Sequence, residues 1–114
     1  MGFGNMQKMM KQVEKMQADL LKVQEEVGER TVEASVGGGA VVAVCKGKGE
    51  IAELRLQPEV VDKADVGMLA DLVVAAVNES LRKARDMMAG EMSKLTPALR
   101  GMPGMPGGTG PRTR

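Results

Sequence analysis

The stretch that decides the fold is Arg30–Leu56, RTVEASVGGGAVVAVCKGKGEIAELRL. Its hydrophobic period is two: Val32, Ala34 and Val36 alternate with Thr31, Glu33 and Ser35, the pattern of a strand with one buried face. Gly37, Gly38 and Gly39 break that run, and Ala40–Cys45 follows as a continuous apolar segment. Gly47, Lys48 and Gly49 make the next break, and Ile51–Leu56 then places Ala52, Leu54 and Leu56 on one side. Turns this short join antiparallel neighbours, so the stretch reads as a three-stranded meander. The middle run has no polar face, and such a strand needs cover on both sides. Helices can supply one cover; a partner chain is expected on the second face or at a sheet edge.

Outside this stretch the period changes. Met6, Met9, Val13, Met16, Leu20, Val23 and Val27 are spaced alternately by three and four residues. This heptad repeat predicts an amphipathic helix roughly 33 Å long, stopped by Gly28 and packed along another helix. Downstream, Pro58 ends the meander and Asp62–Asp65 supply helix caps. Val66, Leu69, Leu72, Val73, Ala76, Val77, Leu81, Ala84 and Met88 then recur at helical spacing. From Pro97 the chain becomes a Gly, Pro and Met run that cannot bury a core. The expected organisation is a domain over residues 1–96 and a disordered tail over 97–114. Its fold class is α+β, in the order helix, three-stranded antiparallel meander, helix.

Composition narrows the chemistry. The 114 residues include Phe3 as the sole aromatic ring and no histidine, so the core is aliphatic and the usual general base and metal ligand are missing. Cys45 is the one cysteine; it can close no internal disulfide, and an apolar strand favours a packing role over a reactive one. Neither glycine cluster joins a strand to a helix N-terminus, so both read as turns rather than phosphate loops. Asp71 and Glu79 lack a paired acid at a spacing suited to acid–base work and read as a solvated helix face. No catalytic residue, metal, cofactor or small-molecule substrate is expected. No apolar run approaches the ~20 residues of a membrane span, and no signal-peptide core is evident, so the expected compartment is the cytoplasm.

The net charge of +1 conceals segregation. Residues 1–24 hold Lys8, Lys11, Lys15 and Lys22 against two acids, and residues 80–114 hold seven basic groups against Asp86 and Glu91. The central stretches are acidic. The four lysines of the first helix form a stripe beside the apolar one, and the first three oppose the helix dipole. Arg82, Lys83, Arg85 and Lys94 lie near the end of the second helix, where cations favour the dipole. If the helices pack antiparallel, the start of the first meets the end of the second in a shared positive tip beyond strands about 20 Å long. Such a tip fits a polyanion, and nucleic acid is the large one at hand.

The opening Gly4-Asn5-Met6, then Met9-Met10-Lys11-Gln12 and Met16-Gln17, together with Leu69-Ala70-Asp71-Leu72-Val73 and Ala75-Ala76-Val77-Asn78, resemble the YbaB/EbfC family of bacterial nucleoid-associated proteins. The resemblance runs from residue 4 to about residue 95. It implies a sheet-mediated homodimer with projecting helical arms, duplex-DNA binding in the nucleoid and no catalysis. Onto this sequence it maps Lys8, Lys11, Lys15 and Lys22 in one arm and Arg82, Lys83, Arg85 and Lys94 in the other. Val42, Val44, Leu54 and Leu56 are the residues expected at the dimer interface. The resulting expectation is double-stranded DNA held mainly through phosphates, organising or compacting the chromosome and modulating transcription. The rival expectation is an adaptor docking a partner helix of a recombination or replication protein, with Met9, Val13, Met16 and Leu20 exposed in the free chain.

Overall fold

The computed structural model describes residues 2–95; the tail expected over 97–114 lies outside them. Helix α1 (Gly2–Glu29) leads into strands β1 (Thr31–Val36), β2 (Val41–Lys46) and β3 (Ile51–Leu56). Two single 3₁₀ turns, Pro58–Val60 and Lys63–Asp65, then deliver the chain to helix α2 (Val66–Lys94). Strand order is β1-β2-β3 with both pairings antiparallel, as the meander reading expected. Asp65 caps α2 by accepting from the Met68 N–H at 3.2 Å, and Asp62 accepts from the Ala64 N–H one turn earlier.

The register sorts the sheet into two faces. Ala34, Ala43 and Leu54 stand side by side, as do Val36, Val41 and Leu56, whereas Glu33, Val44 and Glu53 form a row on the opposite face. A bulge at Val44/Cys45 sets Ile51 opposite Cys45. It leaves Ala52 without a partner, so the expected row of Ala52, Leu54 and Leu56 is interrupted at its first member.

Helix α2 covers β1 and β2. Val41, Ala43 and Ala76 are fully buried, with Leu69, Leu72, Val73 and Val77 packed around them. Ala76, Ser80 and Ala84 recur every fourth residue and are all buried, and these small side chains let the helix lie close to the strands. The Ser80 hydroxyl is satisfied by donating to the Val77 carbonyl at 2.9 Å. Strand β3 lies beyond this cover, and all six of its residues are exposed.

The second face, one of the two places where a partner is expected, is partly covered by the chain itself. Arg55 pairs with Glu53 at 3.1 Å on its own strand and with Glu33 at 2.9 Å on β1. Since Glu33 and Glu53 flank Val44 in the register, this guanidinium spans β2, and Val44 is only 7% exposed beneath it.

Helix α1 is anchored at its C-terminal end. Gly28 does not stop it; the helix runs on to Glu29, and Gly28 is buried against Lys48. The turn between β2 and β3 donates two backbone N–H groups to this end, Lys48 to the Gly28 carbonyl at 3.3 Å and Gly47 to the Arg30 carbonyl at 2.8 Å. Helix-terminal carbonyls that would otherwise lack partners are satisfied in this way. Gly47 must be glycine, because a Cβ there would stand 2.2 Å from the Val27 carbonyl oxygen.

The helices run antiparallel in a staggered manner. Met87 of α2 approaches the turn beside Val27, and Leu95 lies in a depression with Gln12, Lys15, Met16 and Asp19. The residue that follows α2 therefore meets the middle of α1 rather than its start. The shared positive tip is not formed among the described residues, and about 15 Å of α1 projects beyond Leu95 at 1.5 Å per residue. The radius of gyration is 20.5 Å and the extents 76 × 34 × 16 Å, against roughly 13 Å for a compact chain of this size.

Candidate nucleic-acid interface

The projecting half of α1 carries two distinct faces. At 3.6 residues per turn, Lys8, Lys11, Lys15 and Lys22 fall within an arc of roughly 60°, and its centre lies about 140° from that of the heptad seam. The lysines thus run nearly opposite the apolar stripe rather than beside it. Lys15 pairs loosely with Asp19 at 3.4 Å; among the described residues Lys8, Lys11 and Lys22 have no ion pair. The first turn of α1 holds no acid. Because α1 begins at Gly2, Lys8 sits in its second turn, and the dipole cost expected there is small.

The basic residues of α2 are placed differently. Arg82 is pinned between Glu79 and Asp86, which raises its own pKa and holds the Glu79 carboxyl below its usual range. Lys83 donates to the Glu33 carbonyl at 2.9 Å, guarding the free edge of β1. Arg85 is exposed beside the sheet. Lys94 pairs with Glu91 at 3.3 Å, and Glu91, whose carboxyl is held low first by Lys94, also meets Arg30. Arg82, Lys83 and Arg85 therefore stand at the level of the sheet, and among these four only Lys94, next to Leu95, comes to the level of the arm. The structure gathers the α1 lysines into one stripe but does not bring the two groups of cations together.

The expected interface residues divide between faces. Leu54 and Leu56, each 40% exposed, lie on the helix-side face beyond the reach of α2. Val42 and Val44 lie on the other face, Val42 half-buried and Val44 under the Arg55 bridge. Cys45 is buried, its thiol donating to the Lys46 carbonyl at 3.3 Å, and burial pushes its pKa up. Among the described residues no group of acids, cysteine or histidine is placed to hold a metal. The glycine loops join strand to strand, with positive φ at Gly37, Gly38, Gly39 and Gly49. Among the described residues no helix is long and apolar enough to cross a membrane.

Two features escaped the sequence reading. Glu29 is clasped by Lys48 at 3.0 Å and Lys46 at 3.2 Å, which hold its carboxyl below the usual range. The Arg55 bridge is the second. Both join residues far apart in the chain, and only the strand register brings them together.

The helix–meander–helix frame agrees with the comparison to known families, in which residues 1–99 match the YbaB/EbfC DNA-binding family. The chain belongs to that family. Similar relatives include a nucleoid-associated protein of Pelotomaculum thermopropionicum, 55% identical over 102 residues and covering 90% of this chain and 96% of the relative. Another, from Acetivibrio thermocellus, carries the same description and is 55% identical over 105 residues, covering 91% of this chain and 93% of its own. Among solved structures, an uncharacterized protein from Helicobacter pylori superposes with a TM-score of 0.58 at 16% identity, over 69% of this chain and 92% of that one. That likeness concerns the fold alone.

Proposed function

We propose that this chain is a nucleoid-associated protein that binds duplex DNA through phosphates, with α1 as the contacting arm, and so helps organise or compact the chromosome and modulate transcription. The observation that carries the reading is the lysine stripe, Lys8, Lys11, Lys15 and Lys22, largely without acidic partners on a helix that projects from the fold. The stripe covers about 21 Å of helix, long enough to follow several phosphates of one strand. Membership of a DNA-binding family and the nucleoid-associated relatives support the same reading. Aromatic stacking, the common grip on single strands, is unavailable to a chain whose sole ring is Phe3. The cations of α2 have secondary parts, since Arg82, Lys83 and Lys94 are already engaged within the chain.

The active unit in this reading is a homodimer formed along β3. That strand has a free edge, and Leu54 and Leu56 expose an apolar face next to it, an arrangement suited to a second copy. Two copies would present two arms to one duplex.

The test is fluorescence anisotropy of a random 30-base-pair duplex at 50 and 200 mM salt. With about 6–10 phosphates contacted per dimer, affinity falls by about 10³ to 10⁵ between the two conditions. Changing Lys8, Lys11 and Lys15 together to Glu is expected to abolish binding and leave the solution mass unchanged; unchanged affinity would overturn the arm assignment. One observation favours a second reading, that of a module docking a partner helix: Met9, Val13 and Met16 are exposed. Binding to such a helix would be nearly insensitive to salt.

A further inference from the structure

The heptad seam of α1 has two halves with different fates. Leu20 and Val23 are half-buried and Val27 is buried, where α1 packs along α2. Met16, beside Leu95, and then Met6, Met9 and Val13 beyond it continue the same row, and Met6, Met9, Val13 and Met16 are 59%, 63%, 53% and 47% exposed. Met6, Met9, Met10 and Val13 line one open apolar concavity with Glu14 at its rim. A seam that begins as a helix–helix interface and keeps its 3.5-residue period beyond its partner is shaped for another helix.

The flanks of the free half indicate which helix. The positions directly bordering the seam are Asn5, Met10, Gln12 and Gln17, all uncharged, with Glu14 one step further out at the rim of the concavity. The lysines that make the arm cationic lie on the far side, about 140° away. A second copy of this arm can therefore approach seam to seam without the like-charge repulsion that its net charge would otherwise impose, and its own seam offers matching methionines. With the lysine face on a duplex, the seam still points away from it.

We infer that the free half of the α1 seam, Met6–Met16, is a self-association surface that pairs with the same seam of a second copy, so that DNA-bound molecules link arm to arm. The DNA part of this statement rests on the proposed function; the pairing does not. So short a seam is weak alone and gains from being presented many times along a duplex.

The full chain carrying Met9→Cys, treated with a short bis-maleimide alone and on a long random duplex, tests it; buried Cys45 is a silent background. Crosslinks between copies are expected at position 9, more on the duplex, and they should disappear when Val13→Gln and Met16→Gln are added. Lys11→Cys, on the opposite face, should give few. Equal crosslinking at positions 9 and 11, or none at 9, overturns the inference. Crosslinks that appear only after residues 96–114 are removed would make the chain's own tail the occupant and overturn it equally. On DNA, the Met9→Gln, Val13→Gln, Met16→Gln variant should bind one short duplex as the parent does while capturing a second duplex about tenfold less; undiminished capture counts against the inference. Failure of the parent to bind the short duplex would overturn the DNA reading alone, because crosslinking without DNA still decides the seam.

Discussion

Replacing Gly47 with alanine would drive a methyl group into the Val27 carbonyl, 2.2 Å from where the new carbon must sit. The obstructing atom is backbone at the anchored end of a helix, so relief requires α1 to lift from the turn. We expect a loss of about 3 kcal/mol, read as a lower urea midpoint. Nothing in the local sequence distinguishes this glycine from Gly49, whose added Cβ would meet nothing and whose φ is +89°. Both look like turn residues, and only the approach of α1 separates them. Cys45 was more legible: it ends an apolar run with no polar face, which fixes burial without knowledge of any contact. The acids that clasp lysines and arginines add a pH dependence. Glu29, Glu79 and Glu91 all titrate below the ordinary 4.5, so each binds fewer protons folded than unfolded over that range. Their contribution is complete above the ordinary value and is lost as pH falls through the lowered one. The urea midpoint should therefore drop between pH 5 and pH 3, and less steeply in Glu29→Gln.

At the scale of elements, periodicity and punctuation located both α-helices and all three strands among the described residues. Two glycine-bearing turns, Gly37–Gly39 and Gly47-Lys48-Gly49, and a change of period from 3.5 to two are local signals, and the Asp65 cap was among the candidates. Removing that cap, Asp65→Ala, should cost about 1 kcal/mol by thermal or urea unfolding. The relation between elements was less legible. Antiparallel pairing of α1 and α2 entered the sequence reading only as a condition, and its stagger depends on where the β2–β3 turn grips α1, which brings the end of α2 to the middle of the arm. Likewise Val42 and Val44 were grouped with Leu54 and Leu56 by hydrophobicity, although the pairing register places them on opposite faces. On the arm, neutralising Lys11 alone should lower the slope of log affinity against log salt by about one for each copy in contact, with little change in sequence preference.

For the whole molecule, elongation is the feature that composition could not supply. A chain spread over 76 Å leaves much apolar surface for partners, and Leu54 and Leu56 are where we expect the first of them. Leu54→Glu should convert the dimer to a monomer in sedimentation equilibrium while circular dichroism keeps its helical signal, because the side chain already meets solvent in the single chain. A dimer that survives this change would move the interface away from β3.

The grip of the β2–β3 turn on the end of α1 makes the arm a cantilever. From Val27 to the first described residue the helix is about 38 Å long, so each degree of tilt at the root carries the tip sideways by about 0.7 Å. In the proposed dimer, Gly47 and Lys48 at that root would share with the packing of α1 on α2 the control of the gap between arm tips. Substitutions that leave every lysine in place but loosen that root should widen the range of gap widths.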